Sequence, residues 1–496
     1  MSNPTTRWPQ QIKYIIGNEA CERFSYYGMR SILAGYITGA VFQGGLGQTA
    51  DRSTEIIHTF VSVNYLTPLL GAWLSDKFIG RYHTILWVSL LYCLGHGVLA
   101  CSDYAGGVEG RTWCLFAGLT LIAFGSGGIK PCVSAFMGDQ FKPEQSHLLQ
   151  KAYGAFYWAI NLGSFFSFLV IPWVKNHHGY SWAFGVPGIF MAVATFVFWL
   201  GTKHYVRVPT SRETKSAGFF KVLWHALTVK SVGDDVRSLK SSAETKTEPE
   251  TRQLVSYNGK KDFWSAARLR FSEREVDAAK SVLPILAVFA LVPPFWSLFD
   301  QTNSTWVLQG GKMIPFTIFG FNIGAEEMQS ANPLLVMLLV PVLTLLVYPR
   351  LGKLAAPLKR MSYGMFLGAF SYVIVAALQQ RLEAGAQLSV AWQTLPYIVL
   401  TMAEVLVSTT GLEFAFREAA PEMKSLIMSF WLLTVTAGNM LVALITKYFA
   451  HGTGGEESVS AGRFMMYAGL SFVVAILFSA VASFYKYRDA SAAHGK

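Results

Sequence analysis

Charge is what this chain has least of. Only 14% of its 496 residues are Asp, Glu, Lys or Arg, against 52% hydrophobic and 14% aromatic, and the mean hydropathy is +0.35. Ordinary soluble domains carry about 25% charged residues, so this balance excludes a soluble enzyme and points to a chain that crosses a membrane many times. Cysteine is also scarce: there are five (Cys21, Cys93, Cys101, Cys114, Cys132), none forming a CxxC. They read as small buried hydrophobes, apart from Cys101 and Cys114, which bracket a short loop on the non-cytoplasmic side, where an oxidising compartment would let a disulfide persist. HExxH, GxSxG and metal-spaced His/Cys clusters are all missing, which argues against metalloprotease and serine-hydrolase chemistry and against any resident metal or organic cofactor. The N-terminus lacks the basic start, short apolar core and small-residue site of a cleavable signal. The formal net charge of +11 comes without an aromatic-interleaved basic groove or finger motif, so nucleic acid is not an expected partner.

What is present is apolar sequence in long runs. A spanning helix needs about 20 mostly apolar residues. Twelve such windows are separated by polar breaks, centred near Gly28, Tyr65, Leu94, Phe124, Gly163, Met191, Phe289, Leu339, Phe370, Met402, Thr434 and Val473. The expected fold is therefore an all-α membrane protein of twelve spans. The basic excess alternates along the loops: Lys77 and Arg81, Lys142 and Lys151, Lys203 to Lys280, Arg350 to Arg360, and Lys486 with Arg488 fall on one side. By the positive-inside rule that side is cytoplasmic and holds both termini. Residues 203–280 contain no window long enough to cross. Within them SSAETKTEPETRQ (Ser241 to Gln253) has linker composition, and FWSAARLRFSEREVDAAK (Phe263 to Lys280) suits a helix lying on the membrane surface. The expected division is a first six-helix bundle (1–202), a polar linker (203–280) and a second bundle (281–496).

The anomaly is NEACERFSYYGMR (Asn18 to Arg30), two glutamates and two arginines inside the first span. At roughly 100° per residue, Glu19, Glu22, Arg23, Tyr26, Tyr27 and Arg30 share an arc of about 140°. Cys21, Phe24 and Gly28 fall on the opposite arc, where lipid or a packed neighbour belongs. An i,i+4 ion pair between Glu19 and Arg23 near the membrane edge would be worth little. Charge inside a bilayer costs on the order of 3 kcal/mol per residue, so four charges and two tyrosines on one face indicate a functional interior. Other spans carry matching oddities: Lys130 among glycines in FGSGGIKPCVSAFMGDQF, Asp300 in FWSLFDQTNSTW, Glu413 in TTGLEFAF, and His58 opening the second span two turns before Tyr65. The GxxxxGK[ST] spacing of a phosphate loop is absent around Lys130.

GAWLSDKFIGRY (Gly71 to Tyr82) looks like the loop signature of the major facilitator superfamily, with Gly71, Asp76, Gly80 and Arg81 in place, and YPRLGK (Tyr348 to Lys353) reads as its degenerate copy in the second half. Two related six-helix bundles with a site between them at mid-membrane follow from that resemblance. More specifically, ExxERF at Glu19 to Phe24, GSGGIKPCVSAFMGDQF, FYWAINLGSF (Phe156 to Phe165), FWSLFDQ and GLEF resemble the proton-dependent oligopeptide transporter family across nearly the whole chain. The resemblance implies proton-coupled symport of di- and tripeptides into the cell, and also of peptide-like drugs, with the proton as coupling ion and no cofactor. It implies that Arg23, Arg30 and Lys130 take the peptide carboxylate and that Glu413, Asn161 and Asn332 take its ammonium. Tyr27, Tyr65, Tyr157, Trp296, Phe430 and Trp431 would hold its backbone and side chains, while Glu19, Glu22, Asp300 and His58 would handle protons. A monomer in a bacterial inner membrane is expected, without the two extra helices of many bacterial members and without the extracellular domain of animal ones. Asp300 departs from the Glu common at its position, a shorter reach toward Arg30. Two other classes stand beside this reading. One is a carrier of another small anion or zwitterion such as nitrate, against which Glu413 argues because an anion has no ammonium. The other is a membrane enzyme or substrate-sensing receptor, against which the missing catalytic motifs and output domain argue.

Overall fold

The computed structural model describes residues 8–208, 210, 218–228, 263–450 and 457–487. Its helices, in chain order, are α1 (Ile12–Thr38), α2 (Ala50–Leu66), α3 (Pro68–Leu74), α4 (Gly80–Ala100), α5 (Gly107–Asp139), α6 (Ser146–Leu200), α7 (Phe219–Thr228), α8 (Ser265–Arg270), α9 (Glu273–Phe289), α10 (Pro293–Phe299), α11 (Thr305–Gly310), α12 (Ala331–Val342), α13 (Tyr348–Leu351), α14 (Pro357–Glu383), α15 (Thr394–Glu404), α16 (Thr410–Glu418), α17 (Lys424–Ala450) and α18 (Ala461–Phe484). Among the described residues eight helical stretches are long and apolar enough to cross a membrane, or nine if α9 and Pro293–Gly310, which meet at 45°, form one bent span. Two of the eight, Ala50–Ala100 and His147–Lys203, run to 51 and 57 residues. At 1.5 Å per residue these are more than twice the roughly 30 Å hydrocarbon thickness of a bilayer. Each contains a glycine at positive φ, Gly80 (76°) and Gly179 (82°), a conformation that turns the chain and that glycine adopts without strain. α1 fails the apolar criterion because Lys13, Glu19, Glu22, Arg23 and Arg30 all lie on it. The twelve-span reading divides the two long stretches at their glycines and counts α1.

The core is split between the halves of the chain. Tyr26, Met29, Ile57, Tyr92, Phe136 and Met191 belong to one buried cluster in the first half. Val282, Phe289, Met361 and Trp431 belong to another in the second half, and Trp306, Tyr372 and Tyr397 to a third, also in the second half. The apolar arc of α1 meets a packed neighbour: Phe24 stacks on Phe190 at 3.9 Å, and a Cβ on Gly28 would stand 2.7 Å from Ile171. Gly163 is tighter still, since its Cβ would lie 2.4 Å from the Ala20 carbonyl oxygen. This contact draws α1 and α6 together and turns the charged arc of α1 away from lipid.

The two signature loops are built alike. Ser75–Ile79 and Leu343–Val347 are both wound as π turns, and each is followed by a positive-φ glycine, Gly80 in one and Gly352 (φ 52°) in the other. Arg81 donates two 2.7 Å hydrogen bonds to the Asp139 carboxylate, tying the loop to the end of α5. All five cysteines, Cys101 and Cys114 included, are free thiols.

Two expectations change. The surface helix read over Phe263 to Lys280 is two elements: α8 ends at Arg270, Ser272 and Glu275 form a reciprocal capping box, and α9 runs on as the start of the bent span. A capping box marks a helix start, and SEREV carries it. The second change is a small antiparallel hairpin, Phe316–Ile318 with Phe321–Ile323, whose turn places Phe319 (φ 50°) and Gly320 (φ 80°) at positive φ. The linker stretch Ser241 to Gln253 lies outside the described residues.

Candidate functional site

A cavity of about 210 Å³ lies between the halves. That volume is below the roughly 300–1,000 Å³ of drug-sized clefts, so it suits only a small molecule. Its first-half wall includes Tyr27 and Arg30 from α1, Tyr65 from α2, and Tyr157 and Asn161 from α6. Its second-half wall includes Trp296, Asp300, Gln329, Asn332 and Glu404. Eight of the residues singled out in the sequence therefore meet here: Tyr27, Arg30, Tyr65, Tyr157, Asn161, Trp296, Asp300 and Asn332.

The charges are paired across the divide. An Arg30 Nη2 hydrogen bond to Asp300 Oδ1 spans 2.7 Å between side chains 3% and 4% exposed, so the short aspartate reaches its arginine. Asn439 Nδ2 donates to the other oxygen, Asp300 Oδ2, at 2.7 Å. With its amide nitrogen thus fixed, Asn439 presents Oδ1 to His58 Nδ1 at 2.7 Å, and His58 Nε2 lies 2.8 Å from Ser304 Oγ. An amide oxygen only accepts, so Nδ1 carries the proton, and in the neutral ring Nε2 accepts from Ser304. His58 does not line the cavity; it sits behind Asp300 in a network that crosses between the two halves three times.

A second charged group lies deeper in the first half. Arg23 Nε is 2.7 Å from Glu19 and 2.8 Å from Glu22, all three side chains at most 10% exposed. Ser126 on α5 donates to Glu22 at 3.4 Å. One turn on, Lys130 Nζ is buried with no hydrogen-bond partner among the described residues, 4.6 Å above the Tyr26 ring and 4.3 Å above the Tyr65 ring. The glycines beside it let helices approach: a Cβ on Gly127 would overlap Thr67, and one on Gly128 would meet Val88, so α5 lies close to its neighbours. Arg23 is engaged by two glutamates and Lys130 by two tyrosine faces, and neither borders the cavity. Two acids and two bases make the group neutral overall, which is how buried charges become tolerable.

The second-half acid is a correction. Glu413 is a third exposed and pairs with Arg360 at 2.9 Å and Arg417 at 3.1 Å, away from the cavity. The acid that lines it is Glu404, which accepts from Asn332 Nδ2 at 2.8 Å. Nine residues at 100° put 404 and 413 on opposite faces of a regular helix, and a π turn over Val405–Thr409 lies between them. The signal that finds Glu404 was available, because it is the sole acid in the apolar run TLPYIVLTMAEVLVSTT and lone intramembrane carboxylates are functional candidates. Two aromatic assignments also move. Phe430 packs on Phe219 and Phe220 of α7, and Trp431 stands edge-on behind Trp296 at 6.1 Å. Trp296 alone of the three faces the cavity, its Nε1 donating to Thr434 at 3.0 Å.

The polar contacts joining the halves run from the middle of the molecule to one end. Beyond Arg30–Asp300 and His58 they include Gln329 to the Ser31 carbonyl at 3.0 Å, Ser458 N–H to Asp51 at 2.6 Å, and an ion pair between Lys175 and Glu326. The end that is sealed is the one opposite residues 8–11 and 485–487.

The POT family profile matches residues 82–460. Among curated relatives, Peptide transporter 3 of Caenorhabditis elegans is 35% identical over 391 residues, 76% of this chain and 51% of that protein. Solute carrier family 15 member 1 of Canis lupus familiaris is 34% identical over 399 residues, 76% of this chain and 52% of that one. The chain thus spans about half the length of the curated relatives it matches. Two crystal structures superpose over nearly the full length: an auto-inhibited POT family peptide transporter, 39% identical with TM-score 0.82 over 97% of this chain and 98% of that one, and the POT family transporter PepTSo, 39% identical with TM-score 0.83 over 97% and 99%. With the profile covering most of the chain and the fold matched end to end, this protein belongs to the POT family of membrane transporters.

Proposed function

We propose that this chain is a proton-coupled symporter of di- and tripeptides that works by alternating access. The observation that carries the reading is the pair of opposed poles in one small cavity, Arg30 on the first half and Glu404 on the second, both lining about 210 Å³. A zwitterionic peptide has a carboxylate for one and an ammonium for the other, and poles at fixed separation select by length while reading side chains little. The names of the matched relatives, peptide transporters among them, point the same way.

In this reading Arg30 takes the carboxylate, and Arg23 and Lys130 stay outside the cavity in the neutral group with Glu19 and Glu22. Glu404 takes the ammonium, held in place by Asn332, while Asn161, Tyr27, Tyr65 and Tyr157 serve the peptide amide and Trp296 a side chain. Arg30 cannot serve Asp300 and a carboxylate equally. When Asp300 binds a proton its hold on Arg30 weakens, so proton and peptide favour the same released state, which is thermodynamic linkage between two ligands. His58, joined to Asp300 through Asn439, and the Glu19–Glu22–Arg23 group are the other proton carriers, and interacting sites of this kind titrate as a set. The protein acts as a monomer in a bacterial inner membrane. Its termini face the cytoplasm, because Lys77, Arg81, Lys142 and Lys151 gather at their end of the first half.

The test is uptake of a labelled dipeptide into proteoliposomes with and without an inward proton gradient, for wild type, Glu404→Gln and Glu22→Gln. Gradient-driven accumulation, lost in Glu22→Gln while exchange persists, supports symport with a relay on α1. Uptake of nitrate but of no dipeptide in any condition would transfer the cavity to an anion carrier.

A further inference from the structure

A second cavity, about 440 Å³, lies at the sealed end beyond the Lys175–Glu326 pair. It falls inside the roughly 300–1,000 Å³ range of ligand clefts. Four charged side chains border it, Lys175, Lys312, Glu326 and Glu327, and they balance. Lys175 and Glu326 pair with each other across the two halves. Among the described residues neither the exposed Lys312 nor the buried Glu327 has an ion-pair partner; the Glu327 carboxylate accepts from the Gly324 N–H, at 3.1 Å, and from its own backbone N–H. Gly35 on α1 leaves the room for Glu326 to reach inward, since a Cβ there would stand 2.4 Å from its Oε1. The chamber therefore offers one unpaired cation and one unpaired anion beside an ion pair that locks the halves, which is the charge pattern a zwitterion satisfies and a simple anion or cation does not.

We propose that this chamber is a second, weaker binding site for the zwitterionic substrate, with Lys312 on its carboxylate and Glu327 on its ammonium. The proposal rests on the peptide-transport reading of the central cavity. A zwitterion held there has its two charged ends beside Lys175 and Glu326 and competes with each for the other, so occupancy loosens the contact that seals this end. The experiment is equilibrium binding of a radiolabelled dipeptide to the full chain in lipid nanodiscs, comparing wild type, K312Q/E327Q and E404Q. Glutamine at 327 keeps an oxygen for Gly324, and thermal unfolding of the double variant at the wild-type temperature, with its tighter class intact, shows that it is folded. Wild type is expected to show two classes of site, K312Q/E327Q to lose the weaker and keep the tighter within about twofold, and E404Q to do the reverse. A blocked dipeptide, N-acetylated and C-amidated, is expected not to compete at the weaker class. A single class in wild type that E404Q removes overturns the second site and leaves the transport reading standing, as does a weaker class that survives in K312Q/E327Q. Absence of saturable dipeptide binding in every protein sinks both.

Discussion

Arg30 and Asp300, 270 positions apart in the chain, meet at 2.7 Å in the middle of the molecule, both almost fully buried. Among the described residues no other ion pair lines the cavity between the halves. Removing one partner of such a pair leaves the other charge buried and unmatched, which costs about 3–5 kcal/mol. Asp300→Asn is therefore expected to unfold at lower temperature than wild type, and to exchange dipeptide across proteoliposomes without accumulating it under a proton gradient. Accumulation by Asp300→Asn at the wild-type level would remove Asp300 from the coupling scheme.

Glu404 and Glu413 make a paired test, because the two acids sit nine residues apart with different neighbours. A hydrogen bond to a charged group is worth about 1.5–3 kcal/mol, or roughly 10- to 100-fold in affinity. Glu404→Gln should weaken dipeptide binding by that factor. Glu413→Gln, which loosens only the contacts with Arg360 and Arg417, should leave the dissociation constant within about twofold. Isothermal titration of the purified variants decides, and the reverse order would return the ammonium site to Glu413.

His58 joins the halves through two hydrogen bonds, to Asn439 and Ser304. His58→Phe strands both partners in a buried place, at about 1–3 kcal/mol for each unsatisfied group, whereas His58→Gln keeps one bond within reach. Both variants are expected to lose gradient-driven uptake, and the phenylalanine variant is expected to melt at the lower temperature. Equal melting temperatures would show that the bonds to Asn439 and Ser304 contribute nothing to holding the halves together.

Packing of α1 on α6 rests on a glycine. A Cβ at Gly163 would meet the Ala20 carbonyl at 2.4 Å, while one at Gly154 on the same helix meets nothing within 4 Å. Overpacking typically costs about 1–3 kcal/mol. Gly163→Val should lower the melting temperature or prevent purification. Gly154→Ala should be neutral or stabilising by about 0.5–1 kcal/mol, since alanine is the better helix former. A melting curve followed by size-exclusion fluorescence gives the answer, and a Gly163→Val protein as stable as wild type would show that α1 can move away from α6 freely.

The sequence by itself determined the kind of molecule and much of its polar face. Apolar runs set the helices, because a bilayer admits backbone only where its hydrogen bonds are satisfied internally. The cost of buried charge made Glu19, Glu22, Arg23, Arg30 and Lys130 stand out before any fold was known, and periodicity alone put the α1 residues on one arc. What tertiary structure decided is who faces whom. Arg23 and Lys130 share that polar region with Arg30, yet the first turns to two glutamates, the second to two tyrosine rings, and only Arg30 reaches the cavity. The choice of Glu404 over Glu413 depends on helix phase measured against a partner helix, which a single chain does not record. The Arg30–Asp300 pairing depends on how two halves dock. Contacts between residues hundreds of positions apart are set by the packing of whole helices, and for that reason local sequence carries the charges but not their partners.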